Sequence, residues 1–136
     1  RISGPLLDRI DIHIEVSPVP FEKIASSRKG ESSDEIRSRV VGARQIQFRR
    51  FEGQLNTHCN AQMDTRQIRT CCRLQKSTLK LLRTAMERLE LSARAYDRIL
   101  KLARTITDLE GCSEIEESHL AEAIQYRSLD REGWLG

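Results

Sequence analysis

One stretch of the sequence has the period of a β-strand, and nothing else in the chain offers it a partner. In RISGPLLDRIDIHIEV, Ile10, Ile12, Ile14 and Val16 alternate with Asp11, His13 and Glu15, the two-residue repeat of a half-buried strand. A strand satisfies its backbone groups only against another strand. Every other periodic segment repeats its apolar residues at the three-to-four spacing of a helix. The chain therefore reads as mainly α, with one strand whose sheet lies elsewhere. Charged residues at 32% and aromatics at 4% favour helices with solvated faces and argue against an aromatic-rich sandwich. The 136 residues suffice for one domain.

The helical segments are delimited by local signals. After the strand, SPVPFEKIASSRKGESS is a connector rich in proline and serine. Ser32 and Glu35 stand at capping-box spacing and start a helix from about Asp34 to about Phe51. Asp64 and Gln67 form a second such pair, for a short helix reaching Cys71 or Cys72. A third helix runs from about Lys76, with Leu79, Leu82, Met86 and Leu89 as its inward stripe. Ser92 caps a fourth, which Gly111 stops, with Ala93, Tyr96, Ile99, Leu100, Leu102, Ala103, Ile106 and Leu109 as its apolar face. The last helix covers about Glu117 to Tyr126, with Leu120, Ala121, Ala123 and Ile124 inward, before a short tail containing Trp134.

Two placements of charge run against local stability. Arg94 falls in the first turn of the fourth helix, where a cation opposes the positive end of the helix dipole by about 0.3 to 1 kcal/mol. Arg98, four residues on, adds like-charge repulsion of roughly 0.2 to 0.5 kcal/mol. A phosphate against the helix start would offset both; solvation, or pairing of Arg94 with Asp97 or Glu90, is the alternative. In the first long helix, Arg37 and Arg44 fall within an arc of Ile36, Val40, Val41, Ala43, Phe48 and Phe51. Either their stems snorkel along apolar surface, or the face meets a second domain or subunit or grips an anion. Arg39, Arg49 and Arg50 lie opposite as a modest basic stripe suited to solvent or a nucleic-acid backbone. The net charge of +3 points to no overall basic field.

What is missing narrows the chemistry. Cys59, Cys71, Cys72 and Cys112 fall in no metal-ligand spacing, which leaves reduced, mostly buried thiols and no expected metal site; His58 beside Cys59 is the one pair of ligand type. There is no G-x-x-x-x-G-K-[S/T], no HExxH and no G-x-S-x-G. No apolar run of membrane length and no leader-like start occurs, and the first residue is not Met, so a piece of a longer cytoplasmic protein is expected.

RISGPLLDRIDIHIEV, LSARAYDRILKLARTITDLEG and HLAEAIQYRSLDR, with ESSDEIRSRVVGARQIQ and CNAQM between them, resemble the magnesium-chelatase-like AAA+ ATPases, within them the competence and branch-migration subgroup. The resemblance implies that residues 1–16 are the end of an α/β nucleotide-binding core, with the finger and last strand, that 17–32 connect, and that 33–136 form a C-terminal helical lid. It implies that Arg9 is an arginine finger serving the neighbouring subunit's triphosphate, with Asp8 beside it. Arg94 matches the sensor-2 arginine, with Arg98 a second candidate, and Asp8, Arg37 and Arg44 are expected at subunit contacts. ATP and magnesium would be the complete protein's ligands, its own subunits in a hexameric ring its partners, and DNA its expected load. Lacking the phosphate-binding loop, this chain should hold no nucleotide and be inactive alone. Metal insertion into a porphyrin, and a non-catalytic helical module using Arg37 and Arg44, are the competing readings.

Overall fold

The computed structural model describes residues 9–25 and 30–127, the Lys23 side chain apart. Six α-helices occur among them: α1 (Phe21–Ile24), α2 (Ser33–Arg50), α3 (Thr65–Cys71), α4 (Lys76–Arg88), α5 (Ala93–Leu109) and α6 (Glu117–Gln125), with a 3-10 turn at Asn60–Gln62. The fold is mainly α. Both capping boxes form: the Ser32 hydroxyl accepts the Glu35 N–H while the Glu35 carboxylate accepts the Ser32 N–H, and Asp64 and Gln67 do the same. α5 ends in a Schellman turn, with Gly111 at φ 72°, Gly111 N–H on the Asp108 carbonyl at 3.2 Å and Cys112 N–H on the Thr107 carbonyl at 3.0 Å.

α5 is the central element, packed against α2, α3, α6 and the 3-10 turn. Phe51, Met63, Ile68, Leu82, Ile99, Leu100, Ala103, Ile115, Leu120 and Ala123 make the core around it. Leu74 and Ile115 form one parallel bridge between two loops.

Ile10–Val16 is not a strand here. It is irregular, with a bend at Asp11, and exposed except for the half-buried His13, and no sheet among the described residues completes it. A single turn of helix, α1, interrupts the expected connector. The buried face of α5 is also rotated from the expected one: Ala95, Arg104, Thr107 and Asp108 are buried, while Tyr96 and Leu109 lie 37% and 41% exposed and Ala93 is exposed. Likewise Ala121 of α6 faces out. On α2 the buried residues are Ala43, Gln47 and the cap residue Phe51, whereas Ile36, Val40, Val41 and Phe48 are exposed.

One buried carboxylate explains the rotation. Asp108, 1% exposed, is met by Arg50, whose two terminal nitrogens donate to its two oxygens at 2.7 and 2.5 Å. Asn60 Nδ2 donates to it at 2.8 Å and Arg104 Nε at 3.2 Å. Arg104 spends its remaining donors on the carbonyls of Ser113 and Cys112, and the Gln47 side chain accepts the Asn60 N–H at 3.0 Å. The hydrogen bond to Asp108 holds the Arg50 guanidinium above its ordinary value, against the opposing effect of burial. Stripping one partner from such a pair leaves a charge uncompensated in the interior. Asp108→Ala is expected to lower stability by about 3 to 5 kcal/mol in urea unfolding; a loss under about 1 kcal/mol would show the network to be dispensable.

The thiols are free and unequal in their burial. Burial, with the neighbouring Cys71, pushes the Cys72 thiol up to about 12. The neutral thiol is thus favoured in the folded state, so its contribution is complete below the unfolded value near 9 and is lost as pH rises between about 9 and 12. At pH 8 native Cys72 should react with iodoacetamide at least tenfold more slowly than Cys112, the difference vanishing in urea, as read by peptide mass mapping.

Candidate functional site

The site is built at the start of α5. α4 closes with a second Schellman turn, Glu90 N–H meeting the Glu87 carbonyl at 3.4 Å and Leu91 N–H the Met86 carbonyl at 3.0 Å. Its left-handed position is taken by Glu90, at φ 44°, the one non-glycine residue with positive φ among the described residues. This reversal delivers Ser92, whose hydroxyl accepts the Ala95 N–H at 3.2 Å and caps α5. Arg94 then stands exposed in the first turn.

Beside it lies an open groove of about 460 Å³ whose walls include Asp11, Ile12, Arg94, Asp97, Arg98 and Lys101. The N-terminal segment forms one wall and is tied down along its length. Arg98 donates to the Arg9 carbonyl at 2.7 Å and pairs with the Asp11 carboxylate. Arg127 donates to the Ile10 carbonyl at 2.8 Å, and the His13 N–H reaches the Tyr126 carbonyl at 2.9 Å. The backbone of Arg9 is thereby tied to Arg98, which stands one helical turn beyond Arg94. Across the groove, Lys101 Nζ donates to the Ala61 carbonyl at 2.9 Å.

The groove's cations consequently differ in what they have left to offer. Arg98 and Lys101 are committed to the protein, while Arg94 makes no ion pair or hydrogen bond with another described residue. Neither the pairing with Asp97 nor that with Glu90 forms. Among the groove's cations, Arg94 is left open to an anion. The positioning roles of Asp11, Ala61 and Lys101 were not legible in the sequence, because they arise from contacts between residues far apart in the chain.

The other sequence-derived residues are dispersed. Asp8 lies outside the described residues. Arg37 pairs with Asp34 at 3.2 Å, both exposed, and Arg44 is exposed beside Phe48 and His58. The basic stripe expected on α2 is broken up, since Arg39 is paired with Glu31 and Arg50 is drawn inward to Asp108.

His58 is exposed next to a half-buried Cys59, and no third ligand is brought to them among the described residues. A different group does converge: one ligand atom each of Glu110, Cys112 and His119 lies within 4.8 Å of the others. However, His119 Nδ1 accepts the Glu116 N–H at 3.0 Å, so the neutral ring carries its proton on Nε2 and donates it to Glu110 at 2.9 Å. A metal-binding histidine needs a bare nitrogen facing the ion and a proton on the other. This arrangement is a helix cap braced by a carboxylate.

Arg98→Ala is expected to release the N-terminal segment without unfolding the domain. The His13 amide should exchange with deuterium at least tenfold faster, while global stability changes by under about 1 kcal/mol, because the ion pair is partly exposed.

Residues 30–127 match the family described as magnesium chelatase, subunit ChlI C-terminal. Over 132 residues the chain is 41% identical to the competence protein ComM of Haemophilus influenzae, covering 96% of this chain and 25% of that protein. It is equally 41% identical, over 133 residues and the same shares, to the uncharacterised protein YifB of Salmonella typhimurium. The uncharacterised protein Rv2897c of Mycobacterium tuberculosis is 32% identical over 127 residues, 93% of this chain and 25% of that one. The chain thus spans about a quarter of the length of the curated relatives it matches.

Proposed function

Given that this chain belongs to the family of magnesium chelatase subunit ChlI C-terminal domains, we propose that it is the helical lid and arginine-finger portion of a ring-forming ATPase, with Arg94 as the lid's phosphate ligand. The observation that carries this reading is the open guanidinium of Arg94, set in the first turn of α5 where the free N–H groups of the helix also favour an anion. Arg98 serves the site at one remove, by holding the Arg9 backbone against the same groove. Arg9 then acts across to the triphosphate of the next subunit, where a guanidinium stabilises the charge that develops on the transferred phosphoryl group.

ATP and magnesium would bind the complete protein and not this chain, which lacks the phosphate-binding loop. With the sensing arginine on the lid, the lid's orientation would follow the γ-phosphate, so hydrolysis becomes movement. The projecting first half of α2, where Ile36 and Val40 continue the row of the buried Ala43 and Gln47 into solvent, fits a subunit contact flanked by Arg37 and Arg44; Asp8 is proposed at a subunit contact from the resemblance alone.

DNA is the favoured load, in a cytoplasmic hexamer acting on branched DNA, because a relative of 41% identity carries a competence protein's name. Among the described residues no helix is long and apolar enough to cross a membrane. Metal insertion into a porphyrin is suggested only by the family's name.

In the complete protein, Arg94→Ala is expected to lower the turnover of ATP by about a hundredfold, with ring assembly retained in sedimentation. Turnover within twofold of wild type would favour the non-catalytic helical module.

A further inference from the structure

We infer that the groove between α3, α4 and the start of α5 is a binding surface for single-stranded nucleic acid. From Thr65 to Met86 the sequence holds six cations, Arg66, Arg69, Arg73, Lys76, Lys80 and Arg83, and no acid. The whole positive excess of the chain sits in this stretch, and the remainder carries more acids than bases. All six are exposed, and among the described residues none of them enters an ion pair.

Two of them, Arg69 and Arg73, line one groove, and the other four lie on α3 and α4 outside its lining. Lys76, Lys80 and Arg83 recur at helical spacing along one face of α4, and Arg66 and Arg69 are neighbours on α3, followed by Arg73 in the turn between the two helices. Between the helices runs an open groove of about 690 Å³. Arg69 and Arg73 line one side, and Leu79 and Met86 line the other, on the flank of α4 next to Arg83 and Lys76. Ile68 gives it an apolar floor and the ring of Tyr96, 37% exposed, stands at its α5 end. Asp97 is the one carboxylate on its described lining.

Local stability opposes the arrangement. Lys76 stands in the first turn of α4, at the positive end of the helix dipole, and repels Lys80 one turn on. A chain of phosphates offsets both effects and releases counterions as it binds. The apolar floor and the tyrosine face suit bases that are free to stack, which a single strand offers and a duplex hides. The inference takes its biological meaning from the reading of a DNA motor, but its physical basis is this charge pattern. It is tested without ATP, so failure here and failure of the Arg94 assignment are separate results.

The test is fluorescence anisotropy of a labelled oligothymidylate titrated with the 136-residue chain at several salt concentrations. Replacing Arg69, Arg73 and Arg83 together by glutamine should weaken binding by about tenfold or more at low salt and reduce the slope of log K against log salt by about 2. Tyr96→Ala should weaken binding by about tenfold with the slope unchanged. Arg39→Gln with Arg49→Gln should leave affinity within twofold. Absence of binding by the wild-type chain, or affinity within twofold for the triple variant shown by circular dichroism to be folded, would overturn the proposal. Equal competition by polyglutamate would replace the nucleic acid by an acidic protein, and tighter binding of the matching duplex would overturn the single-strand assignment.

Discussion

A carboxylate shut away from water has to be surrounded by donors, and the way Asp108 achieves this sets the frame of the domain. Its partners come from three places: Arg50 at the end of α2, Asn60 in the 3-10 turn and Arg104 one turn earlier on α5. Buried charge of this kind gains little over a well-packed apolar cluster, but it tolerates few alternative arrangements, since any shift strands an ion. α2 and the 3-10 turn are therefore fixed to α5 in one register. Ala61, next to Asn60, is held where its carbonyl takes Lys101 and where it lines the groove beside Arg94. The polar network at one end of α5 thus shapes the groove near the other.

The same helix ties frame to function at its start. Ser92 and the reversal at Glu90 set where α5 begins, and the first turn places Arg94 in solvent while Arg98, one turn further, reaches the N-terminal segment. Two arginines four residues apart thereby acquire different tasks. One is held through a single terminal nitrogen by a carbonyl and a carboxylate and acts as a clasp; the other keeps its donors. In the proposed ATPase this division joins the finger of one subunit to the lid of the same subunit, so that movement of α5 would be transmitted to the neighbour's site through a short rigid link.

What was legible in the sequence was whatever is decided within a few residues. The capping boxes at Ser32 and Asp64, the Ser92 cap and the Gly111 stop all formed, because each is a bond between near neighbours. The faces of α2 and α5 were misjudged for one shared reason. Periodicity assigns charged residues outward, yet Arg50, Arg104 and Asp108 turn inward together, and no local pattern reveals a pairing between residues 50 and 108. The strand pattern at Ile10–Val16 records alternation alone; whether alternation becomes a strand depends on a partner, and the described residues supply none. Arg94 stands out in the sequence because it offends a local rule, the helix dipole. The clasp of Arg98 on Arg9 could not be found that way, since it obeys none.

The most direct test of the account is ATP hydrolysis by rings of the complete protein assembled from wild-type and Arg9→Ala subunits mixed in varying ratio. If Arg9 serves the adjacent subunit's nucleotide, activity falls more steeply than the fraction of variant subunits, and the all-variant ring loses about a thousandfold in turnover. Hydrolysis by the all-variant ring at the wild-type rate would contradict the finger assignment and, with it, the coupling of lid to neighbour that the structure is proposed to support.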